Sequence, residues 1–358
     1  MIKQTTIAFI FLVLFSCCRK KNEPCLTCPP QVEDTTSHFV QWQPPDTLGT
    51  QGVIRDVWVF DKNNAWAVGE IYFNDSTGRP DMVHLYNAAH WNGSKWEIIK
   101  VQFYTFCNQT STNAYPANCI WGFSPSNIYI ASGSQIAKVN GTTQTDIACL
   151  PVSVNKIWGI NNNNLFTVGP LGQIGFYNGN NWIKMTSNTT CDLQDIWGID
   201  ATHIWATGFN NSDGHSVILQ FNGASWSTTY DNANKSENQI QYFNTVWTDN
   251  INYIYLDGGS YTNILTLNTG IFHRTDSLST NEVFCLRGTK GDDIFRVGYG
   301  GETVHYNGST WHLYNELKTL NNGTAWFNCV YPSQNMILIG GWYPTALNGF
   351  PVVIRGYR

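Results

Sequence analysis

Charge is scarce in this chain. Only 13% of its 358 residues are Asp, Glu, Lys or Arg, and the net formal charge is −5. No basic face emerges, which argues against a nucleic-acid partner. Sustained helical periodicity is missing, leaving an all-β chain. Long apolar runs are missing too, apart from one at the N-terminus that is too short to span a bilayer comfortably. There is no His-Glu-x-x-His, no Gly-x-Ser-x-Gly and no phosphate-cradling glycine loop. Neither a metal nor a cofactor is expected.

What is abundant is aromatic residues, 14% of the chain, together with 31 glycines. They recur in a repeat of roughly 40 residues, the period of a β-propeller blade with four short strands. Ile157 opens IWGINNNNLFTVG, Ile196 opens IWGIDATHIWATG and Leu286 opens LRGTKGDDIFRVG. Seven units follow from one anchor each: Trp58, Trp121, Trp158, Trp197, Trp247, Arg287 and Cys329. Eight residues on stands a large apolar residue (Trp66, Tyr129, Phe166, Trp205, Tyr255, Phe295, Ile337), and three further usually a glycine. Asn-Gly pairs at 92, 140, 178, 222 and 307 read as tight turns between third and fourth strands, with both residues at positive φ.

The chain ends in VVIRGYR, a third strand with no fourth after it. HFVQWQPP, near the other terminus, places Trp42 where the other units have a Trp after the turn. Residues near 38–44 are therefore expected to complete the seventh blade, because an unclosed ring would leave a strand edge and an inner face wet. The expected organisation is a signal peptide over 1–16, a tether over 17–37 and a single seven-bladed propeller over 38–358. A monomer is expected.

Residues 1–16, with Lys3 ahead of the apolar run, read as a signal peptide. Leu14-Phe15-Ser16-Cys17 resembles the bacterial lipobox, which implies cleavage before Cys17 and a diacylated N-terminus. By the bacterial sorting pattern, Cys18 rather than Asp in the next position points to the outer membrane of the cell envelope. The polar, Pro-containing segment that follows reads as a tether.

An exported protein is free to form disulfides. The expected pairs are Cys107–Cys119, Cys149–Cys191 and Cys285–Cys329, while Cys25-x-x-Cys28 lies in the tether without the context of a redox, haem or zinc motif. The Asp-box of sialidases is not met. Asp195, Asp249, Asp292 and Asp293 are candidate acids for a carbohydrate-active enzyme, although capping a turn explains each as well.

Loops joining the first two strands and the Asn-Gly turns keep constant length. Variation falls in 70–81, 99–118, 228–243 and 341–351, all expected on the opposite face, and binding specificity concentrates where loops vary on a constant frame. The candidate ligand-binding residues are Asp75, Arg79, Asp81, Trp342 and Tyr343. Exposed Trp and Tyr suit stacking on sugar rings, and the charges suit orienting hydroxyls or a peptide.

The units VWVFDKNNAWAVG and IWGIDATHIWATG, with their YNGxxW hairpins, resemble repeats of bacterial β-propeller lipoproteins and are distantly similar to BNR and photosystem-assembly-factor-type propellers. The resemblance implies a seven-bladed ring at the cell envelope, used for binding or assembly. The leading expectation is a non-enzymatic module that touches a protein or glycan. The alternative is a carbohydrate-active hydrolase or lyase. The shared motifs are structural, so the resemblance carries over no catalytic residue.

Overall fold

The computed structural model describes residues 36–210, 212–233, 242–259, 261–275, 281–346 and 349–358. The signal peptide, Cys17, the Cys25–Cys28 pair and nearly all of the tether lie outside the described residues. The rest forms seven antiparallel sheets: blades 1 to 6 span 51–99, 119–149, 156–185, 192–231, 245–274 and 283–313, and blade 7 spans 326–357.

The anchor rule holds in six blades, where each anchor lies opposite the residue eight positions on, as in Trp58 with Trp66 and Arg287 with Phe295. Blade 7 corrects it. Cys329 lies opposite Gly340 and Ile337 opposite Pro332, whereas Tyr331 packs its ring 4.3 Å from Trp58 in the anchor layer. Tyr331 is therefore the seventh anchor, and Cys329 sits two residues before it. The hairpin of this blade is shorter, which displaced a count made by spacing alone.

A second regularity explains the recurring glycine. In blades 1, 4, 6 and 7 the inner strand bulges three residues before the anchor, at Arg55, Gln194, Phe284 and Asn328. Opposite each bulge stands Gly69, Gly208, Gly298 or Gly341, where an added Cβ would come within 3.0 Å of a Cα on the inner strand. Only glycine lets the backbones approach so closely, and the bulge re-aims its own side chain.

The Asn-Gly turns also differ in mechanism from the expectation. Gly93, Gly179, Gly223 and Gly308 have φ of 92° to 95°, but no asparagine before them is at positive φ. Instead the Asn92, Asn178, Asn222 and Asn307 side-chain oxygens accept hydrogen bonds from backbone N–H groups two and three residues on. The turn is a four-residue loop held by an Asx bond. It sets Trp96, Trp182, Trp226 and Trp311 opposite the residues that close each third strand.

The expected disulfides are corrected as well. Cys107 bonds Cys149, while Cys119, Cys191, Cys285 and Cys329 are buried free thiols. The reason is tertiary. The linker between blades 1 and 2 folds as a ribbon, Gln102–Tyr104 with Thr112–Ala114, against the outer edge of blade 2. Reciprocal bonds from Gln144 to Gln102 and from Gln135 to Tyr104, 2.8 to 2.9 Å long, dock it there. That delivers Cys107 to the end of the outer strand, where Cys149 lies, whereas Cys119 opens the inner strand. Cys285 and Cys329 do occupy neighbouring inner strands, but each thiol donates instead to a carbonyl, of Val330 and Gly340 respectively.

The N-terminal segment closes the ring as expected. Gln41–Trp42 and Asp46–Thr47 pair with the last strand, Gly349–Tyr357. Both termini are also fastened to blade 6. Buried Asp293 accepts from His305 Nε2 at 3.0 Å, from Thr289 and from both terminal nitrogens of Arg358. His305 in turn meets His38 (Nδ1 to Nδ1, 2.9 Å), and His38 stacks on His312 and reaches Thr310.

Acid should loosen this clasp. Burial holds His305 below its usual pKa despite the opposing pull of Asp293. Burial would raise Asp293, but its bonds from His305 and Arg358 outweigh that and bring it to about 2. Both native pKa values are depressed, so the unfolded chain takes up protons first. Stability is complete above about pH 6.5, falls as His305 charges, and falls again below about pH 4 as Asp293 protonates. Asp257, held up to about 6 by burial, works in the opposite direction on the whole domain, so the readout must be local. The Gln43 amide, bonded to the Arg355 carbonyl, should lose exchange protection from about pH 6.5 downward. Constant protection down to about pH 4 would contradict the assignment.

Candidate functional site

The bulge layer builds a site on the axis. Three residues before each anchor stand Arg55, Asn118, Asn155, Gln194, Asn244, Phe284 and Asn328, all partly or fully exposed. Four of the asparagines stitch blade to blade. Their Nδ2 groups donate to the backbone carbonyl of the next blade: Asn118 to Val154 (2.7 Å), Asn155 to Leu193 (2.9 Å), Asn244 to Val283 (3.1 Å) and Asn328 to Ile54 (2.9 Å).

One residue deeper, two carboxylates repeat the stitching with charge. Asp56 of blade 1 accepts from the Ile120 N–H of blade 2 and from Lys156 Nζ of blade 3 at 2.7 Å. Asp195 of blade 4 accepts from the Val246 N–H of blade 5 and, bidentately, from Arg287 of blade 6 at 2.6 and 2.8 Å. Burial disfavours charge on Asp195 and on Lys156, but Arg287 and Asp56 respectively outweigh it, so Asp195 is lowered and Lys156 raised.

Below them the anchor rings close the axis. Trp121 packs 4.6 Å from Trp58 and 6.0 Å from Trp197, which lies 6.4 Å from Trp247. The resulting space is a blind funnel of two chambers. The upper one, about 770 Å3, lies between Gln51, Glu70, Tyr72, Met82, Trp326 and Trp342. The lower one, about 410 Å3, reaches Lys156, Asp195, Thr245, Cys285, Arg287 and Cys329. Arg55, Asn118, Asn155, Gln194 and Asn328 line both and so form the neck. Burial raises the pKa of Cys285 and Cys329, keeping them as thiols rather than nucleophilic thiolates.

The funnel opens on the variable-loop face. Gln51 lies opposite Tyr72 at that end of blade 1, while Asp61 and Asn64 turn at the other end, beside the Asn92-Gly93 loop. The segment 341–351, expected as a loop, is largely an extension of blade 7 in which Trp342 pairs with Pro351 and Pro344 with Gly349.

Of the five residues selected by sequence, one lines the funnel. Trp342 does, with its ring 5.7 Å from Trp326 and against Gly349. Tyr343, next along the strand, projects to the other face, as strand alternation requires. It packs on the core near blade 7, and burial raises its hydroxyl to about 12. Asp75 folds its own loop, accepting from Thr77 and from the Arg79 N–H. Asp81 caps Val83 and His84 and pairs with the His84 ring at 2.6 Å. Asp75, Arg79 and Asp81 thus shape the rim beside Met82.

The candidate acids separate. Asp195 serves Arg287, and Asp293 serves the terminal clasp. Asp249 accepts from the Gly291 N–H in the turns of the opposite face, and Asp292 pairs with Lys290. The sequence reading missed the neck residues. Their signal was the position three before each anchor, which is polar in six of the seven blades.

The fold is shared widely. The chain superposes on "YCF48 bound to D1 peptide" with a TM-score of 0.62 and 13% identity, over 90% of this chain and 97% of that one. It superposes on the WD40 β-propeller domain of Doa1 with a TM-score of 0.58 and 10% identity, over 88% of this chain and 97% of that one. For the extracellular domain of the putative one component system BT4673 from B. thetaiotaomicron the values are 0.58 and 12%, over 88% of this chain and 40% of that one. The sequence matches no protein-family model and no curated protein. At these identities the likeness establishes a seven-bladed β-propeller and nothing finer.

Proposed function

We propose that the chain is a non-enzymatic binding or assembly module of the bacterial cell envelope. In this reading it is lipid-anchored to the outer membrane through Cys17, and it takes a protein or glycan at its variable-loop face. The observation that carries the reading is the blind axial funnel on that face. Its walls come from different blades, so loop changes alter the mouth while the stitched inner strands stay fixed. The carboxylates Glu70 and Asp195 in its lining are each paired with an arginine, and Glu282 is exposed. This favours recognition over acid–base chemistry, which needs an acid and a base converging on one substrate bond. The solved structure of YCF48 carries a bound peptide, a precedent for ligand capture on this architecture.

Glycan arrays and envelope pull-downs with the full chain supply the ligand, and two variants then locate it. Trp342→Ala should weaken binding roughly thirtyfold, the cost of removing an aromatic hot spot. Lys95→Ala, on the Asn-Gly face, should change it less than about twofold. The opposite ranking would place the site elsewhere. For the anchor, fatty-acid labelling should be lost in Cys17→Ser.

A further inference from the structure

The hydrogen-bonding state of the neck narrows the ligand, given the binding role proposed above. Because Asn118, Asn155, Asn244 and Asn328 donate to backbone carbonyls, their amide orientation is settled by the acceptor opposite. Each side-chain oxygen, and the second N–H of each Nδ2 group, then has no protein partner among the described residues. Asn118, Asn155 and Asn328 thus present an acceptor and a donor each in the neck, and Asn244 does the same in the lower chamber. Gln194 makes no side-chain hydrogen bond among the described residues and adds one more acceptor and two donors. The cations beside this ring are each matched by a carboxylate: Arg55 by Glu70, Lys156 by Asp56, Arg287 by Asp195. At the lip, the Trp326 and Trp342 rings lie 5.7 Å apart.

We propose that the funnel receives the end of an uncharged glycan, with a sugar ring at the lip against Trp342 and its terminal hydroxyls in the amide neck. Rotatable hydrogens decide the fit. A hydroxyl turns its single hydrogen towards whichever acceptor is present and keeps its lone pairs for neighbouring N–H donors. Vicinal hydroxyls therefore satisfy a ring of mixed amide donors and acceptors without leaving a group unpaired. A peptide bond holds its one donor and one acceptor in fixed directions, so it satisfies fewer of these clustered groups and leaves the others desolvated and unpaired. An anionic ligand would have to break an existing ion pair to find its counter-charge. The apolar face of a pyranose suits an indole, which supplies contact area the neck lacks. A volume of about 770 Å3 is ample for more than one sugar ring.

The test titrates the full chain with short neutral oligosaccharides of hexose and N-acetylhexosamine, with acidic oligosaccharides and with uncharged peptides, at low and high salt. Neutral oligosaccharides should bind with an affinity that salt leaves unchanged, since no ion pair forms. Gln194→Leu should weaken that binding roughly tenfold at an unchanged unfolding midpoint. Trp342→Ala should weaken it independently. Binding of peptides or acidic sugars in preference, or saccharide binding indifferent to Gln194→Leu, overturns the glycan assignment. A peptide whose binding still responds to Trp342→Ala would leave the binding-module reading standing. Binding that responds to neither variant would remove both.

Discussion

Arg287→Met should cost about 3–5 kcal/mol of stability, the penalty for stranding a buried carboxylate. Arg287 is 3% exposed and Asp195 4%. Beyond its two bonds to Asp195, the guanidinium donates to Thr245 Oγ1 at 3.0 Å and to the Leu286 carbonyl at 2.7 Å, and it lies 5.1 Å from the Trp197 ring. One side chain therefore ties blades 4, 5 and 6 at the axis. In the double variant Asp195→Asn/Arg287→Met the uncompensated charge is gone and the Val246 N–H keeps an acceptor, so most of the loss should return. Urea midpoints of the three proteins provide the coupling energy. High salt should not mimic the single variant, because a buried pair is poorly screened. A cost below about 1 kcal/mol for Arg287→Met would mean that water reaches the pair.

Loss of the Cys107–Cys149 bond comes next in size. The bridge spans a sequence separation of 42 residues, and loop-closure entropy for that length predicts a loss of about 4 kcal/mol on removal. Cys149→Ser and reductant applied to the unmodified protein should lower the midpoint equally, and their effects should not add. The reciprocal glutamine bonds remain, so the ribbon should stay docked in the native state. Most of the effect then acts by freeing the unfolded chain, which raises the denaturant slope as well as lowering the midpoint. Cys119→Ser should not reproduce this pattern, since Cys119 has no part in the bridge. If reductant left the midpoint unmoved, the bond would be absent in solution.

Much of the architecture was legible because it repeats. Trp58 with Trp66 and Trp197 with Trp205 are spaced by a hairpin of constant length, and such spacing survives in the sequence. Trp42 could be assigned to the seventh blade because the C-terminal strand lacked a partner. Where a hairpin shortened, at Tyr331 to Leu338, counting failed and Cys329 was taken for the anchor. The Asn-Gly positions were right and their mechanism was not. Positive φ belongs to glycine alone, and asparagine acts through its side-chain oxygen.

The site was less legible, for a different reason. Long loops pointed to the face on which the funnel opens, and Trp342 lines it, but aromatic and charged residues near a loop tip do not reveal which way a side chain points. Tyr343 follows Trp342 and faces the core. Asp75 and Asp81 are spent on their own turns.

The sequence by itself determined the strand repeat, the number of blades and the closure of the ring, since each depends on residues close along the chain or on one unpaired strand. Only the tertiary structure decided the amide neck, the Asp195–Arg287 pair and the partner of Cys107. Asn118, Asn155, Gln194, Asn244 and Asn328 are ordinary polar residues until seven sheets close on one axis and bring them together. Convergence on an axis is a property of the ring, and no local pattern encodes it.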